Sequence, residues 1–176
     1  MTKKYELTDE TITRFGRTLY RIKALVSFGN VDEGDKGGFI EKEENLNQEG
    51  NAWVYGNARV YGNAEVYGNA RVCGDARVCG NARVCGDAEV YGDARVSGDA
   101  RVAKRTEIIW ISNIGSENGT LTVTRSKDGG LFLTRGCFSG DLSEFENAVE
   151  QTHGSSQYGK EYKALIAYIK LRFGKA

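Results

Sequence analysis

No proline occurs anywhere in the 176 residues, and the chain has one histidine and one methionine. Without proline, every sharp corner must be made by Gly, Asn or Asp. A single histidine, His153, excludes any site that needs three imidazole ligands. Charge of one sign is also missing: 24 Lys and Arg stand against 24 Asp and Glu, so no global field steers nucleic acid or an anionic membrane. No apolar run approaches membrane length, and the opening MTKKYELTDE has no signal-peptide core. The expectation is residence in the cytoplasm with no membrane partner. There the cysteines stay reduced.

What is abundant is repetition. Nine six-residue units run from Glu49 to Val102: EGNAWV, YGNARV, YGNAEV, YGNARV, CGDARV, CGNARV, CGDAEV, YGDARV and SGDARV. Gly, Ala and Val are constant in their columns, and the third column is always Asn or Asp. Ala58 and Val60, two residues apart, face one side of an extended segment, and Arg59 faces the other. Gly62-Asn63 then turns the chain, since both residues tolerate left-handed dihedrals. Units that all run in one sense favour a coil of stacked parallel strands over hairpins.

The x-Gly-Asn/Asp-Ala-x-Val run resembles the hexapeptide repeat of left-handed parallel β-helices. The resemblance implies three units per coil, 18 residues per coil, and the left hand itself, which opposes the usual crossover rule. Nine units then give three coils, rising roughly 14 Å at about 4.8 Å per strand. Leu46 and Ile40 fall in the Ala column at six-residue steps, so two degenerate units are expected ahead of the run. The fold class expected is mainly β: a left-handed parallel β-helix of three to four coils, with an N-terminal β cap and a C-terminal α+β domain.

The expected divisions are a β-hairpin cap at 1–36, the β-helix at 37–103 and the α+β domain at 104–176. In the cap, Thr18–Leu25 alternates and Phe15-Gly16 supplies the turn back to Thr11–Arg14. In the last domain Ile108–Ser112, Leu121–Arg125 and Leu131–Thr134 read as three strands. Asp141 with Glu144 forms a capping box for one helix, with Leu142, Phe145 and Val149 on its apolar face. A second helix from about Ser156 aligns Tyr158, Tyr162, Leu165, Ile166, Ile169 and Phe173. Cys137, beside Phe138, is expected in the core.

An 18-residue coil makes the outer columns readable. Arg59, Arg77 and Arg95 form one ladder; Trp53, Arg71 and Glu89 a second; Glu65, Arg83 and Arg101 a third. Cys73, Cys79 and Cys85 share one coil but point from three faces, so they neither pair nor hold a metal together; their role is open. Relatives by fold include acyltransferases, which use a histidine base, and a carbonic anhydrase type with three histidine ligands. The coils here hold no histidine, and His153 reads as a surface or capping residue between helices. No catalytic residue, metal ligand or cofactor is therefore expected.

Binding is the remaining chemistry. The outward aromatics Trp53, Tyr55, Tyr61, Tyr67 and Tyr91 are of the kind that anchors interfaces. The Arg59–Arg77–Arg95 ladder could hold an anion. Against that, six arginines face seven acids between Glu49 and Val102, which points to a solvated face of paired charges. Nucleic acid is accordingly not expected.

The layout is similar to small hexapeptide-repeat proteins of phages and prophages. The residues that carry this are LYRIKAL (Leu19–Leu25), GGFIEKEENL (Gly37–Leu46), the YGNA units, and CFSGDLSEF (Cys137–Phe145) leading to THG (Thr152–Gly154). The resemblance implies a host bacterial cytoplasm and inhibition of a defence component, such as an anti-CRISPR acting on a host protein or complex. Self-association as a dimer or trimer is expected from the fold. The alternatives are a sponge that sequesters a small nucleotide between subunits, and an acyltransferase-like enzyme.

Overall fold

The computed structural model describes residues 3–174. A parallel β-solenoid of about four turns forms its centre, closed at both ends by antiparallel structure. Strands β1 (Tyr5–Arg14) and β2 (Arg17–Ala24) form a hairpin, and β3 (Lys36–Ile40) starts the first coil. Nine two-residue strands follow, one per unit, from β4 (Trp53–Val54) and β5 (Arg59–Val60) through β8 (Arg77–Val78) and β11 (Arg95–Val96) to β12 (Arg101–Val102). They stack in parallel at 18-residue offsets, as in Arg59↔Arg77 and Arg77↔Arg95. All three predicted outer ladders are in register.

The constant columns have separate physical causes. Every Ala and Val of the nine units lies in the core at 0–1% exposure. Corner glycines take left-handed dihedrals, φ +70° at Gly80, and a Cβ there would lie 2.9 Å from the backbone nitrogen of Gly98 in the next coil. Every corner thus needs glycine for its dihedral, and most need it for clearance as well, though a Cβ at Gly56 would meet nothing nearer than 4.0 Å. At two of the three corners the order of Asn and Asp has a hydrogen-bonding reason. Asn51 Nδ2 donates to Asn69 Oδ1 (3.2 Å) and Asn69 Nδ2 to Asp87 Oδ1 (3.1 Å). Asn63, Asn81 and Asp99 repeat the series at 3.3 and 3.1 Å. An amide both donates and accepts, so it can sit mid-ladder, while a carboxylate can only end it; the third corner, Asn57–Asp75–Asp93, has a carboxylate in the middle and forms no such ladder among the described residues.

The register of the first coil differs from expectation. Ile40 pairs with Val60 and Leu46 bridges Val66, which puts both in the Val column rather than the Ala column. Two extra residues in the corner between Leu46 and Ala52 absorb the shift. Gln48 in that corner accepts from the backbone N–H of Lys4 (2.8 Å) and donates to the carbonyl of Tyr5 (3.3 Å), tying down the start of β1.

Both ends of the solenoid are finished by side chains. At the first coil, Tyr5 Oη donates to the Leu46 carbonyl (2.7 Å), Asn45 Nδ2 to Ala64 O (2.8 Å) and Lys4 Nζ to Ala52 O (3.0 Å). At the last coil, the β11 backbone meets threonines of a sheet laid across the end. Arg95 N–H donates to Thr122 Oγ1 (3.0 Å), and Thr134 Oγ1 donates to Arg95 O (2.9 Å). These bonds satisfy groups that a further coil would otherwise have to pair.

That closing sheet has four strands, one more than predicted: β13 (Ile108–Ile114), β14 (Gly119–Arg125), β15 (Leu131–Arg135) and β16 (Phe138–Gly140). Leu121, Val123 and Leu133 face away from the solenoid and pack on helices α1 (Leu142–His153) and α2 (Gln157–Phe173). The Asp141–Glu144 capping box starts α1. Tyr162, Ile166, Ile169 and Phe173 of the predicted α2 stripe are buried, but Tyr158 is exposed. No helix among the described residues is long and apolar enough to cross a membrane.

Candidate binding groove

Sheet β1-β2-β3-β5-β8-β11 is continuous, so the hairpin extends the face that carries the Arg59–Arg77–Arg95 ladder. The hairpin turn is Phe15-Gly16, with φ +54° and +71°. Both central residues of such a turn need positive φ, a demand that Asn and Gly meet easily and phenylalanine does not. A residue with a Cβ costs about 1–2 kcal/mol there, so an aromatic is present despite the backbone. Phe15 stacks on Tyr61 (centroids 6.0 Å apart, 26° between planes), has the Arg77 guanidinium 5.7 Å from its centroid, and is still 66% exposed.

Beneath this tip lies a groove of about 520 Å³, lined by Phe15, Arg17, Glu41, Tyr61, Arg77 and Arg95 among others. Four cationic side chains, the fourth being Lys42, face one carboxylate in it. That carboxylate is committed: Glu41 binds Arg17 (2.7 Å) and accepts from Gly62 N–H (2.6 Å), which together hold its carboxyl below the usual range despite partial burial. The Tyr61 hydroxyl is pushed up to about 12 by burial and by the Cys79 thiol below it, so it remains a neutral donor.

The charge pairing expected from local composition is not found on this face. Among the described residues none of Arg59, Arg77 and Arg95 has a carboxylate partner. Arg95 reaches only the Gly136 carbonyl, at 3.5 Å. Arg59, partly buried in the ladder, has a buried Nε with no hydrogen-bond partner. The acids of neighbouring units lie on other columns; Glu65, for example, pairs with Arg83 on the third face (3.4 Å).

The predicted aromatic set does not converge. Of it, Tyr61 alone lines the groove. Trp53 is not a surface residue: at 1% exposure it is covered by Tyr5 and Phe28, edge-on at 6.0 and 5.4 Å. It does occupy an outer column, but the N-terminal segment folds over it. Tyr55 is half-buried against the core, and Tyr91 packs on Trp110 of the closing sheet (5.9 Å). Tyr67 stands on another face, its hydroxyl raised by a bond to Cys85 and by burial. Cys73, Cys79 and Cys85 are free.

Phe15, Arg17 and Lys42 went unassigned in the sequence. The signal available was the turn itself, an aromatic where Asn would be expected.

A second cavity, about 340 Å³, lies between the closing sheet and α1, lined by Phe138, Phe145 and Val149 with Arg135, Cys137 and His153. Cys137 is exposed rather than in the core, because it sits in the turn between β15 and β16. His153 ends α1 and stacks on Tyr162 (5.3 Å, 27°). No group of three or more His, Cys, Asp or Glu among the described residues could hold a metal ion.

Comparison with known families agrees with the geometry of the coils. A family model described as the YdcK beta solenoid repeat matches residues 52–68, 64–80 and 76–92. The chain is similar to that repeat over this stretch, which lies wholly inside the solenoid. No curated protein matches the sequence.

Proposed function

We propose that the protein is a non-enzymatic binding protein, a phage or prophage accessory factor that inhibits a host defence component, for example as an anti-CRISPR, by protein-protein contact. The solenoid is the rigid scaffold, and the groove under Phe15 is the contact face. One observation carries this reading: Arg77 and Arg95 stand one coil apart without carboxylate partners beside an exposed, backbone-strained aromatic. Like charges directly opposite on paired strands repel, and here no carboxylate among the described residues offsets the repulsion. An acidic partner segment relieves that repulsion, and Phe15 with Tyr61 supplies apolar area at little entropic loss.

The test is capture from a bacterial lysate by the full chain and by an Arg77→Glu/Arg95→Glu variant. Both side chains project from the coil, so the variant keeps the fold and its circular dichroism. Capture by the parent and loss in the variant support the reading. Equal capture by both sinks it.

A further inference from the structure

The shape of the groove specifies a ligand more narrowly than an acidic surface does. We propose that it is also a small-molecule site for a nucleoside phosphate, with the base on Phe15 and the phosphates on Arg77 and Arg95. This rests on the reading of the groove as the binding face, and adds a ligand class to it.

Four features combine. The volume, about 520 Å³, falls in the range of small-ligand sites. An exposed ring already stacked on Tyr61 offers a planar platform, and base–aromatic stacking is worth about 1–3 kcal/mol. Arg77 and Arg95 project from adjacent rungs of one sheet, whose strands lie about 4.8 Å apart, so both side chains can swing onto one phosphoryl group or a diphosphate. Asn63 and Asn81 line the same groove, and beyond the one ladder bond that each donates, each amide keeps a second Nδ2 proton for a base or sugar edge. Glu41 does not oppose the phosphates freely, because Arg17 and the Gly62 N–H already hold it.

The ligand needs both halves of the site. A bare polyphosphate reaches the arginines but not Phe15, and a nucleoside does the reverse. Burying part of Phe15 in a stack also gives a reason for an aromatic at a position where its backbone is strained.

Isothermal titration of the full chain at low salt, with ATP, AMP, adenosine and tripolyphosphate as probes, tests the assignment. ATP is expected to bind at least tenfold tighter than tripolyphosphate and than adenosine. Phe15→Asn suits the turn better and so preserves the hairpin. It should weaken ATP about tenfold and leave tripolyphosphate unchanged. Arg77→Ala/Arg95→Ala should weaken both together. No heat with any probe at millimolar concentration overturns the proposal. So do equal affinities for ATP and tripolyphosphate, or indifference to Phe15→Asn. Capture of a host protein that depends on Arg77 and Arg95, in a chain that binds none of the probes, overturns this proposal while leaving the contact reading intact. Nucleotide binding without such capture does the opposite.

Discussion

Two glycines with the same backbone but different surroundings separate the causes of the constant corner column. Gly16 and Gly80 have φ of +71° and +70°. A Cβ on Gly16 meets nothing within 4 Å, whereas one on Gly80 would lie 2.9 Å from Gly98 N and 3.2 Å from Gly98 O. Alanine at either site incurs about 1–2 kcal/mol for the left-handed conformation. A less flexible unfolded chain offsets that by about 0.4–1 kcal/mol. Gly16→Ala should therefore lose about 0.5–1 kcal/mol. Gly80→Ala adds overpacking of about 1–3 kcal/mol, because backbone atoms of the next coil cannot swing aside as a side chain would. Its total is about 1.5–4 kcal/mol. Urea unfolding at constant m value gives both numbers. Losses equal within about 0.5 kcal/mol would refute the claim of hard contact between coils and leave the dihedral as the whole reason for glycine.

Trp53→Ala should cost about 3–5 kcal/mol, the range for emptying a buried aromatic site, and remove a blue-shifted emission. A loss under about 1 kcal/mol would mean that the cover from Tyr5 and Phe28 is not kept in solution. Burial of the Lys4 amine, 4% exposed, pulls its pKa from 10.5 down to about 8. The folded value lies below the unfolded one, so between about pH 8 and 10 the unfolded chain binds more protons and stability rises with pH. Cys73, raised by burial, loses stability above its ordinary value near 9.0, so the clean window is pH 8 to 9. There Lys4 contributes a rise of about 1 kcal/mol. The difference between the parent and Lys4→Met in urea at the two pH values isolates it. A flat difference would refute the assignment.

The solenoid was legible because each coil repeats one local solution. Period, column and corner chemistry are all short-range, and 18-residue stacking then yields the Arg59–Arg77–Arg95 ladder without any tertiary information. What was not legible depends on segments far apart in sequence. Trp53 occupies an outer column and looks exposed until Tyr5 and Phe28 fold over it. Ile40 and Leu46 shift column because the corner holding Gln48 is two residues longer, and a fixed six-residue count cannot register that. Charge balance misled for a similar reason. Six arginines against seven acids is a count, and among the described residues none of those acids pairs with Arg77 or Arg95. The groove itself exists because the hairpin continues the solenoid sheet and overhangs it, so Phe15 meets Tyr61 across 46 residues of sequence.

The central claim, that the Arg77–Arg95 groove is the binding face, is tested most directly by one affinity comparison against the protein captured from lysate. Arg77→Glu/Arg95→Glu is compared with Arg83→Glu/Arg101→Glu, which changes net charge equally on another face of the same coils. The account predicts a loss of about 2–5 kcal/mol for the first variant and parental affinity for the second. Equal losses, or a loss in the second variant alone, would contradict it.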